Sequence, residues 1–118
     1  MKKKLTCHKY PNGDKAWFLN GKLHREGLPA IEHANGDKVW CLNGERHRED
    51  GPAIEWANGD KEWWLNSKRH RESGPAIIEI NGHKEWYLNG KLYSESDFYR
   101  QLFKLGKITK EELFIKLI

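Results

Sequence analysis

Histidine recurs at a fixed interval in this chain, and imidazole is the side chain here with the widest chemical repertoire. His24, His47 and His70 are each followed by Arg-Glu and are separated by steps of 23 residues. Imidazoles that share one zinc ion must lie about 3–4 Å apart, because each Zn–N bond is about 2.0–2.1 Å long. If each step adds two β-strands, equivalent residues lie about 9–10 Å apart. The spacing therefore predicts no shared metal site, and we expect neither a metal nor a cofactor.

The same recurrence has a structural explanation. A loop that repeats in one conformation must find hydrogen-bond partners for its buried backbone groups. We expect the histidines and the arginines that follow them to supply these partners, and we call them the loop ladder: His24, Arg25, His47, Arg48, His70 and Arg71. Carboxylates recur with the same period, and the sequence contains no phosphate-binding loop pattern. The sequence therefore predicts a protein that is not an enzyme and has no catalytic residues.

Four units of 23 residues organise most of the chain, and each contains two turn signals. The first is an Asn-Gly pair at residues 12–13, 35–36, 58–59 and 81–82. The second begins eight residues further on, at residues 20–21, 43–44, 66–67 and 89–90, where Asn66-Ser67 is the one departure from Asn-Gly. Asn-Gly between alternating apolar residues predicts a two-residue type I′ hairpin turn, which needs positive φ at both residues.

A two-residue turn at residues 35–36 fixes the predicted strand register. It pairs Ile31 with Trp40 and Ala30 with Cys41. Because side chains alternate between faces, the constant tryptophans then share one face with the isoleucines, and a row of changing residues shares the other face with the alanines. The constant row is Trp17, Trp40, Trp63 and Trp86, and the changing row is Phe18, Cys41, Trp64 and Tyr87.

The last residues of the chain change from strand-like to helix-like patterning. Ser96 is the predicted N-cap of a first helix. Thr109 and Glu112 form a capping-box pattern for a second, shorter one. The predicted fold is mainly β: an elongated single antiparallel sheet of 23-residue hairpin units over residues 1–95, capped by one or two α-helices over residues 96–118.

The segment Trp40-Cys41-Leu42-Asn43-Gly44-Glu45-Arg46-His47 resembles a MORN repeat (membrane occupation and recognition nexus), and the likeness extends over residues 6–95. Arginine replaces the family's glycine after each histidine, lysine replaces its glycine two residues before each tryptophan, and a Gly-Pro-Ala is added. The closer likeness is to MORN variants with His-Arg-x-x-Gly-Pro-Ala, of the kind found in phages, large DNA viruses and some bacteria. The resemblance implies an elongated antiparallel sheet that binds proteins, and sometimes lipids, without catalysis.

Differences between the units predict where a partner binds. Scaffold residues should stay constant along the array, whereas residues that recognise a partner need not, and Trp and Tyr are enriched at binding hot spots. A single sheet with apolar rows on both faces also leaves one face exposed, which is typical of an interaction site. The predicted partner-binding residues are Phe18, Trp56, Lys61, Glu62, Trp64, Glu85 and Tyr87. Homodimerisation through an exposed sheet face or the C-terminal helices stays open.

Together with the viral resemblance, these residues predict a small phage or viral protein that inhibits or modulates a host protein, for example a defence system such as a CRISPR effector. Residues 12–95 carry 12 Lys/Arg and 14 Asp/Glu, so the net charge of +4 comes from the tails. The alternative function is therefore nucleic-acid binding through basic tails and Lys–aromatic strips.

Location can also be predicted from the sequence. No apolar run approaches the roughly 20 residues needed to span a bilayer, so we expect no stable membrane insertion. The C-terminal segment 109–118 carries only two lysines, fewer than the polybasic face of a surface anchor needs. Two cysteines, Cys7 and Cys41, form no disulfide framework and fit a reducing compartment. A cytoplasmic location is predicted, which is the host cytoplasm if the protein is viral.

Overall fold

The computed structural model describes residues 4–118, in which β-strands are followed by two C-terminal helices. Lys2 and Lys3 of the predicted basic tail lie outside the described residues. The strands are β1 (Leu5–Lys9), β2 (Lys15–Leu19), β3 (Lys22–Leu23), β4 (Ile31–Glu32), β5 (Lys38–Val39), β6 (Cys41–Leu42), β7 (Glu45–Arg46), β8 (Ile54–Glu55), β9 (Lys61–Glu62), β10 (Trp64–Leu65), β11 (Lys68–Arg69), β12 (Ile77–Ile78), β13 (Lys84–Leu88) and β14 (Lys91–Tyr93). The helices are α1 (Glu95–Lys104) and α2 (Lys110–Leu117).

One large antiparallel sheet runs along the molecule, which measures 52 × 38 × 19 Å. Its strand order is β1-β2-β4-β5-β8-β9-β12-β13-β14, and β3 pairs with β2 beside this path. The hairpins β6–β7 and β10–β11 form two short ladders of their own. The prediction of a mainly β, elongated antiparallel sheet with C-terminal helices is therefore confirmed, with the addition of a short return strand after the second turn of each unit.

The second turn of each unit has the predicted geometry. Leu42 pairs with Glu45, so the loop contains two residues. Both of these residues have positive φ, 51° at Asn43 and 84° at Gly44. Ser67 takes the glycine position of this turn in the third unit with a φ of 62°, which shows that the position accepts a side chain.

The first turn of each unit differs from the prediction. The His33 N–H donates to the Asp37 carbonyl at 2.9 Å, and the Gly36 N–H donates to the His33 carbonyl at 3.0 Å. Gly36 has a φ of 101°, whereas Asn35 does not enter the left-handed region. These features define a three-residue loop, in which a type I turn is followed by a glycine bulge.

The extra loop residue shifts the predicted register by one. Ile31 pairs with Val39 rather than with Trp40, and Ile54 pairs with Glu62 rather than with Trp63. Because side chains alternate along a strand, a one-residue shift moves a whole row to the other face. The predicted pairing of the tryptophans with the isoleucines is therefore wrong, and the isoleucines lie on the face of the changing aromatic row.

The opposite face, here called the tryptophan face, carries the constant strand residues Trp17, Leu19, Trp40, Leu42, Trp63, Leu65, Trp86 and Leu88. The loop of each unit folds over this face, and the Arg48 guanidinium lies 3.9 Å from the ring centre of Trp40. Ala30, Ala53 and Ala76 are fully buried beneath the loops. Each of the first three units thus covers its own tryptophan.

The C-terminal helices seal the last unit. Phe98 and Leu102 of α1 are almost fully buried and pack against Leu88. Helix α1 begins two residues earlier than predicted, since the Ser94 hydroxyl, not that of Ser96, accepts the capping N–H. The capping box of α2, formed by Thr109 and Glu112, is present as predicted.

The bulge glycine should tolerate a side chain less well than the turn glycine does. We expect Gly36→Ser to lower the free energy of unfolding by about 1–3 kcal/mol, because its φ of 101° is disfavoured for L residues. Gly44→Ser should cost less than about 1 kcal/mol, since Ser67 already occupies the equivalent position. A built Cβ at Gly36 approaches the Ala57 Cβ only to 3.4 Å, so crowding adds little. Urea denaturation of both variants measures the difference, and equal losses would contradict the assigned turn geometry.

Candidate binding face

The two hairpin positions that carry a different residue at every repeat lie on one face of the sheet, here called the variable face. Four rows of residues cross this face, and the members of each row are 23 residues apart in the sequence. The turn-side row is Tyr10, His33, Trp56 and Glu79, and the central row is Ala16, Val39, Glu62 and Glu85. The aromatic row is Phe18, Cys41, Trp64 and Tyr87, and the return-strand row is Leu23, Arg46, Arg69 and Leu92.

A hydrogen-bonded aromatic cluster occupies this face in the third unit. The indole N–H of Trp56 donates to Glu62 Oε2 at 2.8 Å, and the indole N–H of Trp64 donates to Glu62 Oε1 at 3.1 Å. Arg46 and Arg69 lie at 4.9 and 5.1 Å from the Trp64 ring centre. Trp64 is half-buried, whereas Trp56 is 40% exposed. The Trp56 ring is therefore the aromatic surface of this cluster that remains open to a partner.

A second cluster follows in the fourth unit. Glu85 accepts the Tyr87 hydroxyl at 2.7 Å and contacts His83 Nε2 at 2.7 Å. The bond to His83, followed by that to Tyr87, holds the pKa of Glu85 below its usual value. The same bond to Glu85 raises the pKa of His83. Burial, and then the bond to Glu85, raise the pKa of Tyr87, so the three groups favour a charged Glu85 beside a neutral tyrosine.

The first unit instead carries an apolar groove. Tyr10, Ala16, Phe18, Ile31 and His33 are five of the ten residues that line a depression of about 570 Å³. Alanine stands here where the third and fourth units have glutamate, so the central row changes from apolar to acidic along the array. The variable face thus has an apolar end and an acidic, aromatic end.

Six of the seven predicted partner-binding residues lie on the variable face. Lys61 lies on the opposite face, where it pairs with Glu55 and Ile78, because it precedes Glu62 in the same strand. Phe18 lies two units away from Trp64 and lines the apolar groove rather than the acidic end. The sequence interpretation missed the return-strand arginines Arg46 and Arg69, although this position also changes between units.

The loop ladder connects each unit to the next. The ring Nδ1 of His24, His47 and His70 accepts the N–H of Asn43, Asn66 and Asn89, respectively, at 2.9–3.0 Å. Each acceptor therefore holds the second turn of the following unit. Within the described residues, no group of three His, Cys, Asp or Glu side chains is placed to hold a metal ion.

The ladder arginines act within their own units. Nη1 of Arg48 donates to the Pro52 carbonyl at 3.0 Å and to Glu55 at 2.9 Å, while the guanidinium covers Trp40. Arg25 and Arg71 make the same carbonyl contact and lie 3.8 Å from the ring centres of their own tryptophans. These arginines fasten the loop over the tryptophan face, so their side chains are committed to the scaffold.

Aspartates make a second connection between units at the first turn. Oδ1 of Asp14, Asp37 and Asp60 accepts the N–H of Ala34, Ala57 and Ile80, respectively, at 2.6–2.9 Å. The bond from the Ala34 N–H, followed by that from the Asn12 amide, keeps the pKa of Asp14 below its usual value. The bond from Ala57 has the same effect on the pKa of Asp37. The lowered pKa values favour the charged forms of Asp14 and Asp37. The three aspartates border the variable face, where Asp14 contacts His33 at 3.2 Å.

The arginine contacts should stabilise the array measurably. We expect Arg48→Lys to lower the free energy of unfolding by about 2 kcal/mol, because an ammonium group cannot bond Pro52 and Glu55 while covering Trp40. Arg100→Lys is the matched control, since Arg100 forms an exposed pair with Asp97, and it should change stability by less than about 0.5 kcal/mol. Thermal and urea unfolding measure both, and similar effects would show that the loop contact contributes little.

The cluster in the fourth unit should be visible in a pH titration. Glu85→Gln removes the carboxylate that bonds both neighbours, so the pKa of His83 and that of Tyr87 should both fall. In the wild type, the raised pKa of His83 gives stability that is complete below its usual value of 6.5 and is lost as the pH rises through the folded value. NMR titration of the His83 ring and ultraviolet titration of Tyr87 measure these shifts. Unchanged midpoints in the variant would rule out the cluster.

Comparison with known proteins gives no relative: no family model, curated protein or solved structure matches this chain. Neither described helix is both long and apolar enough to cross a membrane. The candidate site therefore stands on its own geometry: a scaffold side that is closed by repeated loops, and a variable side that is open.

Proposed function

We propose that this chain is a non-enzymatic repeat protein that binds a protein partner through the variable face. The observation that supports the proposal is that the constant and the changing residues of the units lie in different parts of the structure. The residues that hold units together recur almost unchanged, whereas the two hairpin positions with a different residue at every repeat, the turn-side row and the aromatic row, share one face. A surface that is built on a constant scaffold and differs at each step is suited to recognising one irregular partner.

The charge of the variable face favours a partner that presents basic groups. Six carboxylates lie on or beside this face: Asp14, Asp37, Asp60, Glu62, Glu79 and Glu85. Among the described residues of the four rows, the basic side chains that accompany them are Arg46 and Arg69, besides His33. Complementary potentials steer association and suppress wrong partners. We therefore assign the partner a lysine- or arginine-bearing surface that contacts the acidic end.

The exposed ring of Trp56 is the proposed contact for a lysine or arginine side chain of this partner. Trp56 is 40% exposed, and its indole N–H donates to the Glu62 side chain. An indole face attracts guanidinium and ammonium groups, and the neighbouring carboxylate adds charge-assisted hydrogen bonds. The apolar groove around Phe18 would receive an aliphatic or aromatic side chain of the same partner. The same carboxylates disfavour the nucleic-acid alternative, because a phosphate backbone would meet like charge.

The nature of the partner in the cell is a further step of this proposal. The His-Arg-x-x-Gly-Pro-Ala motif resembles that of phage and large DNA virus arrays. By that analogy we assign the chain a role as an inhibitor or modulator of a host protein in the host cytoplasm, for example a defence system such as a CRISPR effector. The support for this step is the sequence motif alone.

Selection from a random peptide display library tests the proposed face directly. We expect the wild-type protein to enrich peptides that contain arginine and lysine. Trp56→Ala should weaken the selected peptides about 10- to 30-fold, as truncation of a binding hot spot does. Lys61→Ala is the matched control on the tryptophan face and should leave affinity unchanged. Circular dichroism checks that both variants remain folded.

Three outcomes would contradict the proposal. Acidic peptides could be enriched, or Trp56→Ala could bind the selected peptides as tightly as the wild type does. The third outcome uses a mixed-sequence single-stranded DNA oligomer at low salt. If this DNA bound more tightly than the peptides, with an affinity that fell steeply as salt rose, nucleic-acid binding would be the better assignment.

A further inference from the structure

The first strand of the sheet differs from its equivalents in the later units. Strand β1 has five residues, whereas β4, β8 and β12 have two each. The later units have Pro-Ala before the strand, and the first has Thr6-Cys7 at the same place in the repeat. Proline lacks an N–H and protects sheet edges from pairing. The strand at the end of the array is thus the one that has lost its proline.

The outer edge of β1 carries backbone groups that have no partner strand within the described part of the chain. The Tyr10 N–H donates to the Asp14 carbonyl, which marks a hydrogen-bonded pair with the next strand. In the regular β1–β2 register every second residue of β1 forms such a pair, so the backbone N–H and C=O groups of Thr6 and His8 also point toward β2. The N–H and C=O groups of Leu5, Cys7 and Lys9 therefore point outward.

The two ends of the array differ in how far they are covered by other parts of the chain. At the C-terminal end, α1 packs against β13 and β14. At the N-terminal end, all five side chains of β1 are exposed, including Leu5, which is 46% exposed. In each later hairpin the equivalent edge pairs with the second strand of the preceding hairpin, as β4 does with β2. The outer edge of β1 is thus an edge of the kind through which one hairpin of the array joins another.

From this we infer that two copies of the chain pair through the outer edges of β1, antiparallel and about a two-fold axis at Cys7. Such an isologous contact is self-complementary. Cys7 faces Cys7 of the second copy as a hydrogen-bonded pair, with Cα atoms about 5.5 Å apart. Leu5 of each copy faces Lys9 of the other. Moving the axis to Lys9 would set like charges opposite each other, so the Cys7-centred register is favoured.

This pairing does not depend on the proposed partner, but it would double the number of variable faces that one partner can contact. Residues opposite each other across an antiparallel pair share a face. The two variable faces would therefore lie on the same side of one continuous sheet. A partner with two equivalent basic surfaces would then bind with avidity, because its second contact is intramolecular.

Sedimentation equilibrium under reducing conditions tests the pairing. We expect the wild type to shift with concentration from 13.9 kDa to twice that mass. Cys7→Pro removes an outward N–H and leaves the inward bonds of Thr6 and His8 in place, so it should stay monomeric. Cys7→Ser keeps the N–H and should still dimerise. A wild type that stays monomeric up to its solubility limit, or a Cys7→Pro variant that dimerises as Cys7→Ser does, would overturn the inference.

A cross-linking experiment tests the register without a proline. Mild oxidation should link two wild-type chains through Cys7, since Cα atoms about 5.5 Å apart allow a disulfide. In a Cys7→Ser background, Leu5→Cys and Lys9→Cys chains should link when mixed, and neither should link readily alone. Linking of Lys9→Cys chains alone, or the absence of mixed links, would overturn the Cys7-centred pairing even if Cys7→Pro fails to fold.

Discussion

The position of one glycine in each unit determines what both faces of this protein carry. Gly36 and its equivalents adopt φ values near 100° and close a three-residue loop, which sets the pairing of every following strand. With one residue fewer in the loop, the isoleucines would lie against the tryptophans, and Trp56 would leave the face of Trp64. Because strand side chains alternate, no small adjustment lies between these two arrangements. The shared carboxylate of Glu62, which bonds both indoles, exists only in the observed register.

In the fourth unit, the residues that would bond to a fifth unit are replaced by other residues. Asp14, Asp37 and Asp60 each accept a backbone N–H from the next unit, and the fourth unit has His83 at this position. The histidine and arginine of the loop are replaced by Tyr93 and Ser94, and Ser94 instead caps α1. The hydrophobic cluster of α1 then packs against Trp86, where earlier units use arginine. Sequence decay in the fourth unit is therefore a structural termination, and it explains why the array stops where the helices begin.

Much of the fold could be predicted from the sequence, because repetition multiplies weak local signals. The unit length, both turn positions, the sheet and the α2 capping box all follow from residue types and spacing. The register could not be predicted from Asn-Gly alone, since the same dipeptide serves a two-residue turn at residues 43–44 and a bulged turn at residues 35–36. One residue did distinguish the bulged turn from the two-residue turn. Pro11 precedes the first Asn-Gly, and proline favours the second position of a type I turn. Lys61 was misplaced by the same shift, because a two-residue turn at residues 58–59 would set it opposite Trp56 on one face.

The division between the two faces also separates stability from recognition. Bonds from the ladder histidines and the aspartates join side chains to backbone N–H groups across unit boundaries, so they do not depend on which side chains the aromatic row carries. Alanine, valine or glutamate can therefore follow the same lysine, and phenylalanine, cysteine, tryptophan or tyrosine can follow the same tryptophan, without changing the register. In a globular core such exchanges would create cavities or bury charge. Here the changing side chains lie on the open side of a scaffold whose connections are made elsewhere, and this allows one short array to present an apolar groove at one end and charged aromatic clusters at the other.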